Sequence, residues 1–379
     1  MSTQTHCQAD KPAHAQAQAR LHKPASTNPR AQAGAPRAQS PHQRTMPARV
    51  VHQGGIRMKM ILDLDTGIDD TFALMYAIAN PDIQLLGVTG SFGNVTRDQG
   101  IHNDLALLSM VGHQEIPVFK GECHPLFADH FTVSEGCEIF HGKNGTGDVE
   151  IPAQSIGSVQ PQSAIDFIIQ SVKTYGKDVT LVPTGSLTTM ARVIQQAPEL
   201  ISKMHIVMMG GAAIQAGNND KFAECNIAQD PDAADVVLSS GADITMVGLD
   251  VTMQTYTTQA FINKVRALGN TQATFFADMC DFYIKASNPY VPACAQDTFV
   301  LHDPLAVGVA FNPQYVRCVD VPLRVDTEEP GRGRIISDPL EVMAKKTPVH
   351  VALEVQNETF VSHLEETLYS FFSSFSEKE

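Results

Sequence analysis

Between positions 63 and 70 the sequence reads DLDTGIDD, which sets four carboxylates, Asp63, Asp65, Asp69 and Asp70, within eight residues. An apolar run, Met60 to Leu62, precedes them, and Phe72, Met75 and Ala79 follow at helical spacing. The pattern predicts a buried strand, a turn at Gly67, and a helix whose first turn carries Asp69 and Asp70. Pro81 disfavours helical backbone at Asn80 and ends that helix. Carboxylates packed this closely repel one another, and burial disfavours their charged forms. A hard cation among them relieves both costs, and carboxylate oxygens suit calcium or magnesium rather than zinc. The position also fits the rule that open α/β sheets bind ligands outside the carboxyl ends of their strands. The plain structural alternative is an N-capping aspartate pair beside solvated turn acids.

Other polar residues stand just after later predicted strands: Asn94, Thr184, the group Asn218, Glu224 and Asn226, and the pair His302 and Asp303. In a parallel sheet such strand ends share one edge, so distant segments can meet in one pocket. Each has an ordinary account when taken alone. Asn94 fits a strand-ending turn, Thr184-Gly185 a strand-to-helix turn, Glu224 a surface acid, and His302 a helix cap. Their joint order along the chain favours the pocket.

The elements needed to position these groups are legible in the same pattern. Strands are predicted at 83–89, 116–119, 179–183, 205–209, 244–249, 316–325 and 349–355. Helices are predicted at 99–111, 163–175, 187–196, 232–239, 258–268 and 271–286, from 303 onward, and at 360–375. Residues 127–152 carry many glycines and little periodicity, which predicts a long loop. Strand–helix alternation with near-continuous apolar strands implies an α/β fold: a mainly parallel central sheet flanked by helices, Rossmann-like, in a single domain over residues 58–379.

Residues 1–57 are rich in Ala, Gln, Pro, His and Arg and nearly free of large apolar side chains, and are expected to be a disordered N-terminal extension. Its Arg-rich, acid-poor bias resembles a transit peptide without the apolar face; a plain tail or an upstream extension before Met58 is the favoured reading. The net charge is −14 over 379 residues, and the segment 1–57 is basic, so the acidic body argues against a nucleic-acid partner. Seven cysteines without a Cys-x-x-Cys pair read as reduced thiols, and the expected location is cytoplasmic. No apolar run approaches the length of a transmembrane helix, so no membrane association is expected.

From about Met58 to the C-terminus the chain resembles the inosine-uridine-preferring nucleoside hydrolases. The motifs are DLDTGIDD at 63–70, GN at 93–94, VPTGSLT at 182–188, MMGGA at 208–212, GNNDKFAECNIAQDPDAA at 217–234 and LHDPLAV at 301–307. The resemblance implies the nucleoside hydrolase fold and hydrolysis of ribonucleosides to ribose and free base, as in purine and pyrimidine salvage. It implies a Ca2+ held by Asp65, Asp70, the Thr184 main-chain carbonyl and Asp303, with Asp63 as a neighbouring acid. Asp65 is then the general base toward a calcium-bound water. Asp69 and Asn226 are assigned to the 2′- and 3′-hydroxyls, Asn218 and Glu224 to the 5′-hydroxyl, and Asn94 lies beside the sugar. His302 matches a histidine that protonates or orients the leaving base. His141 falls in a loop that closes over the base in relatives, with an ordinary exposed histidine as the other reading. Tyr283 and Tyr290 reach the base or simply pack. Such a site predicts ribosides to be far better substrates than 2′-deoxyribosides. A homo-oligomer, dimer or tetramer, is implied as well.

Three positions depart from the family pattern: Thr66 where proline is usual, Cys225 where an aromatic is frequent, and Thr146 where leucine is common. They bear on base preference, purine or pyrimidine, which stays open. Two other classes compete. Asp63-Leu-Asp65-Thr66 also matches the opening of haloacid-dehalogenase-like phosphatases, a reading that leaves AECN and LHDP unexplained. A non-catalytic nucleoside-binding protein would keep the sugar contacts but lack the base or a metal ligand, whereas Asp65, Asp70 and Asp303 are all present.

Overall fold

Short apolar runs rich in branched residues form the strands, and the longer amphipathic or fully apolar segments between them form helices. The computed structural model describes residues 43–44, 57–153, 155–290, 296–337, 340 and 347–375. In chain order the described strands are β1 (Gln43–Arg44), β2 (Met58–Leu64), β3 (Ile83–Gly90), β4 (Val118–Lys120), β5 (Val179–Pro183), β6 (His205–Met209) and β7 (Asp243–Val247). They continue with β8 (Tyr256–Thr258), β9 (Thr298–Val300), β10 (Val316–Val321), β11 (Arg324–Val325), β12 (Ile335–Ile336) and β13 (Val349–Val355).

Nine of these build one sheet in the order β1-β10-β13-β7-β6-β5-β2-β3-β4. From β13 to β4 all neighbours are parallel, while β10 is antiparallel to both β13 and β1. Parallel strands need crossover helices, so both faces are covered. Strand alternation sorts β2 between two cores. Met60, Leu62 and Leu64 face Phe72, Phe276, Leu305 and Phe360, whereas Ile61 joins Leu181, Ile206, Met208 and Ile244 under Ile168, Val193 and Val237. The result is a single α/β domain with a mostly parallel sheet between helices, as its strand–helix alternation predicts.

The helix Ile68–Ala79 is buried from Ile68 through Ala77 and ends at Asn80, directly before Pro81. It is apolar nearly all round because the helices Thr271–Ser287, His302–Phe311 and Asn357–Ser373 share its core cluster. Its buried start carries Asp69 and Asp70 into the protein interior.

Three expectations need correction. The loop expected over 127–152 contains a helix, Glu135–His141, whose Ser134 Oγ accepts from Cys137 N at 3.1 Å. Seven residues are too few to display a helical period in sequence. The strand expected over 316–325 is broken: β10 stops at Val321, Pro322 cannot donate to a ladder, and Arg324–Val325 pairs instead with β12. The strand before His302, β9, does not join the central sheet but pairs antiparallel with β8. The expected extension over 1–57 lies outside the described residues, apart from Arg57 and from Gln43–Arg44, the two residues of β1.

Candidate active site

The opening motif leaves β2 and crosses to the helix at the carboxyl edge of the sheet. Asp63 and Asp65, at and just past the strand end, are buried, as are Asp69 and Asp70. Asp63 Oδ1 accepts from Thr89 Oγ1 at 2.5 Å, while its Oδ2 has no partner. Asp65 accepts from the Asn94 main chain at 2.8 Å and from Asn94 Nδ2 at 3.2 Å. The same Nδ2 reaches Asp70 Oδ2 at 3.0 Å, and Gly67 N donates to that oxygen at 2.9 Å. Asp70 Oδ1 accepts from Thr184 Oγ1 at 2.7 Å. Segments after β2, β3 and β5 thus meet within hydrogen-bond distance.

Close approach of backbone makes this meeting possible. A Cβ at Gly93 would fall 1.9 Å from Asp65 Oδ2, and one at Gly185 would fall 2.8 Å from the Asp65 side chain. Asp65 is therefore gripped between two strand-end turns that only glycine can supply.

Asp303 enters from the first turn of the helix His302–Phe311. It does not follow a strand of the main sheet; its helix instead shares the core cluster with the Ile68–Ala79 helix. Among the described residues, Asp69, Asp70 and Asp303 form a group of potential metal ligands whose oxygens lie within 4.8 Å of one another. Asp69 Oδ1 and Asp303 Oδ2 have no hydrogen-bond partner. Asp65 adjoins this trio through Asn94.

The protein alone does not satisfy this charge. Burial raises Asp65 and Asp303 well above the usual carboxylate range, and the neighbouring carboxylates raise them further. Burial also raises Asp70, Asp69 to about 6 and Asp63 to about 7. Buried acidic oxygens without donors, and no nitrogen or sulfur ligand among them, fit a hard divalent cation.

On the opposite wall, after β6, Glu224 is buried and caps the short helix Cys225–Gln229. Its oxygens accept from Gly211 N at 2.9 Å, Asn226 N at 3.0 Å and Ile227 N at 3.1 Å, so it is not a surface acid. Asn226 Nδ2 donates to the Thr184 carbonyl at 2.6 Å. Asn218 is exposed, and its side-chain oxygen accepts from Cys225 N at 2.8 Å.

Two histidines complete the enclosure. His141 Nδ1 accepts from Ile68 N at 3.1 Å, which leaves any ring proton on Nε2. Burial lowers His141 to about 4, so its 3.7 Å approach to Asp69 at neutral pH is a contact of two acceptors and not an ion pair. His302 Nδ1 lies 2.9 Å from Thr252 Oγ1, and burial lowers it to about 4 as well. Tyr283 is buried against Phe299 with ring centroids 4.3 Å apart and stands 6.2 Å from the His141 ring. Tyr290 is exposed and meets Phe140 at 5.4 Å.

Sequence reasoning missed a supporting layer. Thr66 Oγ1 donates to the buried Asp104 at 2.6 Å, and Asn103 Nδ2 joins the Thr66 and Asn144 carbonyls at 3.2 and 2.7 Å. These bonds tie the aspartate turn to the helix Arg97–Met110 and to the loop after His141. Asp250, just past β7, accepts from Ala213, Ile214 and Gln215 N at 2.8, 2.7 and 3.0 Å and shapes the path toward Asn218. Asp250 could have been found from its place after a strand; Asp104, inside a helix, carried no such signal.

Parallel sheet, converging strand ends and a buried oxygen-only centre define an α/β protein with a candidate metal site at the carboxyl edge of its sheet. The chain belongs to the inosine-uridine preferring nucleoside hydrolase family, whose model matches residues 60–362. Its enzymatic class is that of a ribonucleoside N-glycosyl hydrolase. It is 32% identical to the inosine-uridine preferring nucleoside hydrolase of Crithidia fasciculata over 308 residues, 80% of this chain and 94% of that one. It is 35% identical over 313 residues to a pyrimidine-specific ribonucleoside hydrolase RihA of Shewanella, covering 82% and 95% of the two chains. A solved purine-preferring ribonucleoside hydrolase from Gardnerella vaginalis superposes with a TM-score of 0.80 at 44% identity, covering 83% of this chain and 99% of that one. Among the described residues, no helix is long and apolar enough to cross a membrane.

Proposed function

We propose that the protein is a calcium-dependent hydrolase that splits the N-glycosidic bond of ribonucleosides into ribose and a free nucleobase. The observation that carries the calcium reading is the approach of buried Asp70 and Asp303, within 4.8 Å of each other beside Asp69, with Asp303 Oδ2 lacking any donor and Asp65 tied to Asp70 through Asn94. Asp65, Asp70, Asp303 and the Thr184 carbonyl are the proposed ligands, with Asp63 behind them. A carbonyl oxygen has two lone pairs, so the Thr184 oxygen can serve a cation while accepting from Asn226. A bound divalent ion supplies an acidified, positioned water and offsets the clustered negative charge.

Asp65 is the proposed general base. Asn94 fixes both of its oxygens, so it is oriented before substrate arrives. As the base departs, positive charge grows on the sugar ring, and the surrounding carboxylates stabilise it without reorganising. Asp69 and Asn226 are assigned to the vicinal hydroxyls, Asn218 and Glu224 to the 5′-hydroxyl, and Asn94 to the sugar's flank. Glu224 accepts three backbone N–H bonds and keeps lone-pair capacity for one hydroxyl. His302, held neutral by burial, assists the leaving base through a hydrogen bond, and His141 covers the same side.

The test is release of reducing sugar from inosine, uridine, cytidine and adenosine, with and without a chelator. The reading requires release from at least one riboside, lost on chelation and restored by Ca2+. Binding without sugar release would overturn it.

A further inference from the structure

Two cysteines from separate segments meet beside the sugar-side wall. Cys137 lies on the helix Glu135–His141, one turn before His141, and is buried. Cys225 lies between Glu224 and Asn226 and is half-buried. Gln229 Nε2 stands 3.9 Å from Cys137 Sγ and 3.7 Å from Cys225 Sγ, so both sulfurs gather about one side-chain amide. Ser134 Oγ donates to Cys137 Sγ at 3.2 Å. Neither sulfur is assigned a part in the proposed hydrolysis.

We propose that Cys137 and Cys225 form a redox modification site, which a hydroperoxide converts to an intramolecular disulfide that silences the enzyme. One thiolate attacks a peroxide oxygen; the O–O bond breaks, giving a sulfenic acid and, from hydrogen peroxide, water. The second thiolate attacks that sulfur; the S–S bond forms, the S–O bond breaks, and the departing hydroxide takes a proton to become water. Two thiols and one hydroperoxide become one disulfide, with two electrons passing from sulfur to peroxide oxygen. The neighbouring Cys225 side chain and the Ser134 hydroxyl, which donates to the Cys137 sulfur, favour its thiolate, bringing it to about 7. Cys137 is thus the first nucleophile and Cys225 the resolving thiol.

The consequence for activity rests on the assignment of Glu224 and Asn226 to the sugar. An S–S bond is about 2.05 Å long, far shorter than any contact between two unbonded thiols. Closing it draws the Cys225 backbone toward the Glu135–His141 helix. Glu224, which caps Gly211, Asn226 and Ile227, and Asn226, which holds the Thr184 carbonyl, flank that backbone and shift with it.

The experiment treats the full chain with hydrogen peroxide, blocks remaining thiols with iodoacetamide, and maps a non-reducing digest alongside sugar release. A Cys137–Cys225 cross-linked peptide is expected. Turnover should fall about 100-fold, the scale of an ångström-sized misplacement, and return with dithiothreitol. Cys137→Ser and Cys225→Ser should each keep their starting activity through the same treatment. Absence of the cross-linked peptide, or equal inactivation of Cys225→Ser, overturns the proposal. Mapping the same bond in Asp65→Ala protein separates the two readings, since the cross-link must form there whatever the fate of hydrolysis.

Discussion

Asn226 and Thr184 are joined by a 2.6 Å hydrogen bond from the asparagine side-chain amide to the threonine main-chain carbonyl. Asn226 also bonds through its own N–H to Glu224, so one residue links the proposed sugar contacts to a proposed ion ligand. Asn226→Ala is expected to raise KM and weaken Ca2+ affinity together. Each should shift roughly tenfold, the equivalent of about one buried hydrogen bond. Titration of Ca2+ beside steady-state kinetics checks this; a KM effect with unchanged ion affinity would contradict the link.

Gly93→Ala places a methyl group where Asp65 Oδ2 now sits, 1.9 Å away. Either Asp65 rotates off its Asn94 donors or the turn moves. Overpacking of this kind costs about 1–3 kcal/mol. A lower Tm together with a kcat loss well beyond what stability explains is expected. An alanine variant of wild-type activity would show that Asp65 tolerates displacement.

Asp65 and Asp63 should respond differently. Removing the proposed general base through Asp65→Ala is expected to lower kcat by about 10² to 10⁴-fold with the fold retained. Asp63 stands behind the proposed ion ligands, so Asp63→Asn removes no proposed ion contact. The amide keeps an oxygen to accept from Thr89 Oγ1. The milder loss in Asp63→Asn is read from kcat with circular dichroism as the folding control; equal losses would contradict the separate roles.

Far from the site, His350 bridges Asp320 at 2.7 Å and Asp243 at 3.4 Å, and both carboxylates raise its pKa above 6.5. A raised histidine contributes stability fully below pH 6.5, which is lost as pH rises through the higher folded value. His205 at 3.3 Å, His350 at 3.4 Å and a hydrogen bond from Lys177 hold Asp243 well below its usual 3.8. Its contribution is present above about 3.8 and lost only as pH falls through the lowered value. Wild-type Tm is therefore expected to decline above pH 6.5, and His350→Gln to lose that decline. Parallel Tm profiles for the two proteins would refute the assignment.

The strands and the aspartate turn were legible because their signals are local. Buried parallel strands read as short apolar runs, and DLDTGIDD sits between one such run and a helical period. Asp303 is the instructive exception. Its segment was expected at the end of a sheet strand, yet β9 pairs with β8 and the residue arrives through packing of its helix in the core around Ile68–Ala79. That relation is made by side chains distant in sequence and leaves no periodic trace. The Glu135–His141 helix escaped notice because it spans two turns, and Asp104 because a polar residue inside a helix signals exposure more often than support.

One hard divalent ion, on the proposed reading, is held by carboxylates from the aspartate turn and from the His302–Phe311 helix. Calorimetric titration of Ca2+ into chelator-stripped wild-type and Asp303→Ala protein tests it most directly. One site per chain, with its heat abolished in Asp303→Ala and turnover restored only in wild type, is the predicted result. Full ribonucleoside hydrolysis by stripped protein, or equal Ca2+ binding by both proteins, would contradict it.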